Sequence, residues 1–505
     1  MTTKSNKSNY AGEKFGLIGK TLVHSYSKEI HESLQKYTYD LFSLTEEEMP
    51  QFIEARDFRG LNVTIPYKKA VMPLCDEISP LASAIGAVNT LYWEDAASTS
   101  APNPAGADTP ENAAEASGST KAEPGTSPAG SGISLKHSSG GRKLMGHNTD
   151  YEGFLYNAKR SGISFADKTV LILGTGGTSL MARKAAADQG AAKIYIASRS
   201  GGDGTPLQIA GSDVLCMQVS YDELNHAGNE SENGTAANAK SDADCGRLSR
   251  SDIQIIVNTT PVGTFPNNLQ SVISLADYPN CDSVIDVIYN PFKTALLLEA
   301  EKLGMKFANG LPMLVAQATA AAGYFLGTPG AFESENERII AAMERQMRNI
   351  VLIGMPGCGK STIGKLLAKH MDMPLVDMDE EIEKEAGMSI PEIFEKEGET
   401  GFRDRESAVA RRLGKERGQI IATGGGAILR SENVDALRQN ALVLHIKRPV
   451  DTLPTNGRPL SKNIDTLREM EQKRMPLYEA AADITFNNSR MRGKAKLLEA
   501  VLKRL

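Results

Sequence analysis

From about residue 165 onward, short apolar runs alternate with amphipathic stretches, and glycines mark the joins. KTVLILG (168–174) enters a glycine cluster, TSLMARKAAADQG (178–190) has helical spacing with Gly190 as a stop, and KIYIAS (193–198) is the next run. DIQIIVN (252–258) and SVIDVIY (283–289) continue the series, followed by an Ala-rich helix at about 312–326 and a helical stretch near 332–347. At Asn349 the rhythm restarts. NIVLIG (349–354) enters a second glycine loop, STIGKLLAKH (361–370) is an amphipathic helix, and PLVDMD (374–379), QIIATGG (419–425) and ALVLHI (441–446) read as strands. Strands buried on both faces read as continuous apolar runs, and intervening helices supply their crossovers. The pattern predicts an α/β protein built on parallel sheets covered by helices.

Two stretches break the rhythm. Residues 95–141 are mostly Ala, Ser, Gly, Pro, Thr and Glu, and 226–250 are similarly polar. Neither can bury enough apolar surface to offset the entropy of ordering it, so both are expected to be disordered insertions. Ordered-looking sequence ends at Trp93 and resumes at Leu144, which points to a widened hairpin loop within one domain; an interdomain linker is the alternative.

Composition narrows the function. The net charge of −6 argues against nucleic acid as a partner, because binding a polyanion needs a basic surface. Cys75, Cys216, Cys245, Cys281 and Cys358 are far apart with no CxxC pair, so neither a disulfide framework nor a zinc ribbon is expected. The N-terminus, MTTKSNKSNYAGEKFG, lacks the apolar core of a signal peptide, and no run of about 18 apolar residues occurs. The expectation is a cytoplasmic protein with small-molecule partners and no membrane partner.

The sharpest chemical signal is Gly354-Met-Pro-Gly357-Cys358-Gly359-Lys360-Ser361-Thr362, which fits GxxxxGK[ST] between a predicted strand and a predicted helix. Its glycines let backbone N–H groups turn toward a phosphate, Lys360 can reach the β- and γ-oxygens, and the Ser361 hydroxyl can ligate Mg²⁺. That predicts ATP or GTP binding and leaves the acceptor open. Downstream, Asp377-Met-Asp379 ends a strand, Glu399-Thr-Gly-Phe402-Arg403-Asp-Arg-Glu406 supplies a cation, and Thr423-Gly424-Gly425-Gly426 ends another strand. Gly457-Arg458-Pro459-Leu460 and Arg474-Met-Pro-Leu-Tyr478 follow.

In this order after a P-loop, these pieces make 349–505 resemble shikimate kinase. The resemblance implies ATP and Mg²⁺ as cofactors, with Asp379 binding shikimate hydroxyls and assisting deprotonation of the attacking one. It implies that Arg403 and Arg474 grip the substrate carboxylate, the bidentate work that suits guanidinium. Gly425 would contact substrate through its backbone, Asp377 would support Mg²⁺ with Ser361, and Arg458 would lie in a closing lid over the nucleotide. The lid segment between Pro449 and Arg458 is short against the family pattern and has no arginine between its ends.

The first glycine cluster, Gly174-Thr175-Gly176-Gly177-Thr178-Ser179, is a GxGGxS variant: either a dinucleotide loop or a structural glycine turn. The next strand ends in Ser198-Arg199-Ser200, where NAD sites usually carry an acid. Arg199 points instead to the 2′-phosphate of NADP, with an arginine capping a loop as the alternative. Further upstream stand His24-Ser25-Tyr26-Ser27, Asn62-Val-Thr64-Ile-Pro66-Tyr-Lys68, Asn89-Thr90 and His147-Asn148-Thr149-Asp150. By itself Lys68 reads as a solvated charge and Asp150 as a helix cap. Downstream are Asn258-Thr-Thr-Pro261-Val-Gly263, Asp286-Val287-Ile-Tyr289-Asn-Pro and Asn309-Gly310-Leu-Pro-Met-Leu-Val-Ala-Gln317.

Together these resemble shikimate dehydrogenase from about residue 14 to 328. The resemblance implies that Ser25 and Ser27 bond the substrate carboxylate and that Thr64, Asn89, Tyr289 and Gln317 complete the polyol site. Lys68 and Asp150 would be the catalytic pair at the reacting oxygen, where hydride addition to a ketone requires a proton donor. The nicotinamide would lie near Val287 and Gly310, and Gly174, Thr175, Gly176, Gly177, Thr178, Ser198 and Arg199 would hold the rest of NADP(H). Thr21 and Lys28 replace family prolines, Ser198 replaces an Asn, and Gly201-Gly202-Asp203 stand where a second basic residue is usual.

The combined expectation is an N-terminal α/β substrate domain (14–158), a Rossmann-like NADP domain (159–310), a helix returning to the substrate domain (311–330), a linker (331–348) and a P-loop NTPase-type kinase domain (349–505). The chain would reduce 3-dehydroshikimate to shikimate with NADPH and then phosphorylate shikimate with ATP, as a monomer or homodimer. The rivals are a quinate/shikimate dehydrogenase using NAD in the first half, or one half acting as a non-catalytic regulatory module.

Overall fold

The computed structural model describes residues 10, 12–22, 25–95, 141–226, 248–453, 464–488 and 493–505. Most of both polar insertions, and 454–463 with Arg458, lie outside these residues.

The first sheet contains β1 (Phe15–Gly19), β2 (Asp40–Ser43), β3 (Gly60–Val63), β4 (Glu77–Ile78), β5 (Thr90–Asp95) and β6 (Arg142–His147), in the order β2-β1-β3-β5-β6-β4. β1 pairs in parallel with β2 and β3, whereas β5 is antiparallel to both β3 and β6. The β5–β6 register runs from Thr90↔His147 to Asp95↔Arg142, so the flanks of the first insertion are neighbours in one sheet. That insertion thus departs from a hairpin within one domain. Alternation along β1 sends Ile18 to one face with Leu61, Val63 and Leu91, and Phe15 and Leu17 to the other.

The second sheet holds β7 (Thr169–Leu173), β8 (Lys193–Ser198), β9 (Leu215–Ser220), β10 (Ile255–Asn258), β11 (Ser283–Asp286) and β12 (Lys306–Ala308). All its pairings are parallel, in the order β12-β11-β10-β7-β8-β9. In chain order this is the 3-2-1-4-5-6 doubly wound arrangement, whose strand order reverses beside β7. Apolar clusters cover both faces: Val170, Ile172 and Ile194 on one, Leu171, Leu173 and Tyr195 on the other.

The third sheet is also parallel: β13 (Asn349–Ile353), β14 (Leu375–Asp377), β15 (Ile420–Ala422), β16 (Ala441–Lys447) and β17 (Ile484–Asn487), ordered β14-β15-β13-β16-β17. Its core includes Val351, Leu352, Ile363, Leu367, Ile421 and Leu444.

The helix Leu311–Phe325 leaves the second sheet and packs on the first, where Phe325 joins Phe15 and Tyr37. The span expected as a linker, 331–348, does more than connect. Its helix Asn336–Met347 buries Ile339, Ile340, Met343 and Met347 in that same cluster. The spacing of these residues makes one apolar helical stripe, which is stable only when covered. Asp379 likewise differs from expectation: β14 stops at Asp377, and Asp379 sits in the first turn of the helix Met378–Ala386.

Candidate active sites

A cleft of about 390 Å³ opens between the first two sheets. It is lined by Ser25, Ser27, Thr64, Lys68, Asn89, Asp150, Val287, Tyr289, Gly310 and Gln317, with Thr21, Asn62, Met313 and Leu314 beside them. Lys68 Nζ donates to Asp150 Oδ2 at 2.5 Å, and both side chains are largely buried. Asp150 begins the helix Asp150–Arg160, so it occupies the first turn of a helix and also meets the lysine. Neither residue is the solvated charge or simple cap that its local sequence allows. A desolvated ammonium touching a carboxylate can pass a proton to a developing alkoxide and stabilise it.

The surrounding polar groups are fixed by one another. Tyr39 Oη donates to Asn62 Oδ1 at 2.8 Å, and the Asn62 amide donates to the Asn89 carbonyl at 3.3 Å. Asn89 Oδ1 accepts from the backbone N–H of Thr149 at 2.7 Å, joining the Lys68 side of the cleft to the helix of Asp150. Gly310 allows the closest approach: a Cβ there would lie 2.0 Å from the Val287 carbonyl oxygen. Asn62, Met313 and Leu314 stand within the motifs quoted from the sequence but carry no site role there. Asn62 lies on β3 at the head of the motif that carries Thr64 and Lys68, the signal that could have found it.

The glycine loop after β7 has Gly174 at φ 101°, with Thr175, Gly176 and Gly177 exposed at the head of the helix Gly177–Asp188. An added Cβ at Gly176 or Gly177 would meet nothing within 4 Å, so the space beside this helix N-terminus is open to a ligand. Arg199 is exposed at the end of β8 with its charge near Tyr221, so its guanidinium is available to a phosphate. Ser198 turns inward. Its hydroxyl donates to the Gly201 carbonyl at 3.3 Å and accepts from Gln218 at 2.9 Å, so it supports the loop.

The second cleft, of about 540 Å³, lies wholly in the third unit. Gly357, Gly359, Lys360, Ser361, Thr362, Asp377, Asp379, Arg403, Gly425 and Arg474 line it. Cys358 is buried in the core, so only its backbone belongs to the loop. Gly359 precedes the helix Lys360–Met371 at φ 111°, a conformation L side chains avoid. Lys360 Nζ donates to the Gly354 carbonyl at 2.8 Å and the Met355 carbonyl at 3.2 Å. Ser361 Oγ donates to Asp377 Oδ2 at 3.4 Å, a pair of hard oxygens suited to Mg²⁺ directly or through water.

Burial pushes Asp379 up to about 6, and the neighbouring Asp377 and Glu406 charges add to the rise against Lys360. Arg403 is held by Glu406 at 2.7 Å and Glu399 at 3.3 Å. Arg474 and Tyr478 both donate to the Gly425 carbonyl, at 3.0 and 2.6 Å, fixing the backbone of the glycine run. Asn488 donates to the Cys358 carbonyl at 2.8 Å and braces the P-loop from outside. Glu406 and Tyr478 stood within motifs read for their arginines; Asn488 has no sequence signal. Among the described residues, no group of three His, Cys, Asp or Glu side chains forms a metal site, and no helix is long and apolar enough to cross a membrane.

Two family models match the chain: the shikimate dehydrogenase substrate binding domain over residues 17–91 and shikimate kinase over 356–505. A shikimate kinase of Pseudomonas syringae pv. syringae is 42% identical over 167 residues, 32% of this chain and 96% of that protein. One of Thioalkalivibrio sulfidiphilus is 44% identical over 153 residues, 29% of this chain and 80% of that protein. Among solved structures, shikimate dehydrogenase 1 of Peptoclostridium difficile is 28% identical, with 66% of this chain and 97% of that chain covered at a TM-score of 0.46. Shikimate kinase from Acinetobacter baumannii is 35% identical, with 32% and 95% covered at a TM-score of 0.30. The chain belongs to the shikimate kinase family through its third unit and carries a shikimate dehydrogenase substrate-binding domain ahead of it, which makes it an enzyme with two such units in one polypeptide.

Proposed function

We propose that the first two units reduce 3-dehydroshikimate to shikimate with NADPH and that the third phosphorylates shikimate from Mg-ATP. The observation that carries this reading is the Lys68–Asp150 pair, buried in one cleft with Ser25, Ser27, Thr64, Asn89, Tyr289 and Gln317. Ser25 and Ser27 bond the substrate carboxylate, and the other four take the ring hydroxyls. Lys68 donates the proton to the ketone oxygen, and Asp150 holds the ammonium in place. The nicotinamide, bound against Val287 and Gly310, supplies the hydride. Gly174, Thr175, Gly176, Gly177 and Thr178 present the loop to its pyrophosphate, with Arg199 on the 2′-phosphate and Ser198 behind it.

In the third unit, Asp379 accepts the proton of the shikimate hydroxyl, while Arg403, Arg474 and the Gly425 backbone orient the ring. Gly357, Cys358, Gly359, Lys360 and Thr362 would cradle the phosphates and Ser361 and Asp377 would hold Mg²⁺; Arg458, expected in a lid, lies outside the described residues. Bound Mg-ATP supplies the phosphoryl group. The fusion makes each substrate assignment support the other, since the first product is the second substrate.

The test is to give the purified chain 3-dehydroshikimate, NADPH and Mg-ATP and to look for shikimate 3-phosphate by mass spectrometry. Its formation is expected. Better turnover of quinate with NAD than of shikimate with NADP would overturn the dehydrogenase assignment.

A further inference from the structure

The dehydrogenase and kinase halves meet along one seam. The Phe292 N–H donates to Asn440 Oδ1 at 3.0 Å, and the Lys293 N–H donates to the Gln439 carbonyl at 2.9 Å. Lys415 Nζ donates to the Pro266 carbonyl at 2.8 Å, and the Arg348 guanidinium lies 5.5 Å over the Phe292 ring. Asn440 is fully buried, so the contact is a packed surface and not a rim. On the kinase side these residues precede β13, β15 and β16. They lie at the N-terminal edge of the third sheet, opposite the edge that carries the P-loop.

From Phe292 the chain runs back three residues to Tyr289, a wall of the dehydrogenase cleft. Tyr289 stands edge-on to Tyr26, with ring centroids 6.0 Å apart at 83°. Tyr26 lies between Ser25 and Ser27. Over its ring, at 5.3 Å, sits the guanidinium of Arg417, a residue of the kinase half just ahead of β15. Burial raises both tyrosine hydroxyls, and the Arg417 charge opposes the rise at each. Arg417 also hydrogen-bonds the Tyr26 side chain, while its Nη1 is buried without a further acceptor among the described residues. An apolar side chain would fill that space without leaving a buried donor unpaired, so packing alone does not account for an arginine.

We infer that Arg417 is a positioning residue of the dehydrogenase cleft, lent by the kinase half: through Tyr26 it braces the lining residues Tyr289, Ser25 and Ser27 from behind and adds positive potential where an anionic substrate binds. The inference rests on the dehydrogenase reading above. It makes the kinase half a structural part of the first active site, with no need for product to pass directly between the two.

The experiment compares Arg417→Met and Arg417→Lys with the unaltered full chain. In Arg417→Met the KM for 3-dehydroshikimate should rise about tenfold, the order expected when one cation leaves a partly buried anion site. The KM for NADPH and the kcat should stay within about twofold, a split that separates lost substrate binding from general damage. Arg417→Lys, which keeps the charge, should recover most of the loss. Added salt should raise the KM of the unaltered chain more steeply than that of Arg417→Met, which keeps Lys68 as the cleft's cation. Kinase kinetics in the same preparations should not change, because the P-loop lies at the far edge of the sheet. An unchanged KM for 3-dehydroshikimate in Arg417→Met would overturn the inference, as would equal losses in both NADPH binding and kinase rate. If the unaltered chain itself fails to reduce 3-dehydroshikimate, the underlying dehydrogenase reading falls and takes the inference with it.

Discussion

The two clefts are built in opposite ways. The kinase cleft draws its lining from one unit, and its residues follow in short motifs at the C-terminal edge of one parallel sheet. The dehydrogenase cleft gathers residues from Leu17 to Gln317 across two sheets and a returning helix, and the other half of the chain stands behind its tyrosine wall. A site made by one sheet edge tolerates changes elsewhere. A site made by apposed surfaces depends on everything that holds those surfaces together.

The largest effects should separate the sites completely. Lys360→Ala should lower kinase turnover by about a thousandfold if, as proposed, the lysine neutralises charge on the transferring phosphoryl group, and should leave dehydrogenase turnover intact. Lys68→Ala should lower dehydrogenase turnover by about 10²–10⁴-fold, the span typical for loss of a general acid, with kinase rates untouched. Parallel assays of both activities in each variant check this; cross-inhibition would contradict the separation.

Next comes pH. A carboxyl held at about 6 is protonated below that value and cannot accept a proton, so kinase kcat/KM should fall as pH drops through about 6. Glu406→Gln removes one of the negative neighbours and should move that acid limb to lower pH. The same shift has a stability sign. Because folding raises the Asp379 value, the folded state binds more protons between the ordinary range and about 6, and this group's stability is lost as pH rises through that window. Asp379→Asn should therefore raise the thermal midpoint at pH 8 and not at pH 4, measured by calorimetry.

A smaller effect concerns the dinucleotide. Arg199→Ser should raise the KM for NADPH about tenfold and leave that for NADH nearly unchanged, the cost of one phosphate contact. Equal changes for both would assign Arg199 to the loop's structure. Smallest is the seam itself: Asn440→Ala should raise the KM for 3-dehydroshikimate by about two- to threefold, through the Phe292–Tyr289 segment, with kinase rates constant.

In the two wholly parallel sheets, central strands and glycine loops are readable because full burial demands continuous apolar runs. Beyond residue 165 the strands that escaped, β9, β12 and β17, are sheet edges where half-exposure admits Gln218, Lys306 and Asn487; in the first sheet β1 to β4, two to five residues long, escaped as well, and only the β5–β6 hairpin was signalled, by the flanks of the insertion. The residues that the resemblance names stand along the two clefts, but other lining residues, such as Leu17, Met313, Phe394 and Met470, and the supports behind the lining have no such signal. Asn488 and Arg417 reach their sites from distant sequence, and no local spacing announces such contacts. The 332–347 helix was read as helical yet assigned to a connection, because its apolar stripe does not say which surface covers it.

One isotope experiment tests the shared product most directly. NADPH carrying deuterium on the transferred face, supplied with 3-dehydroshikimate and Mg-ATP to the purified chain, should yield shikimate 3-phosphate carrying that deuterium, and the Lys360→Ala chain should stop at deuterated shikimate. Unlabelled phosphorylated product, or none from the unaltered chain, would contradict two working sites acting on one ring.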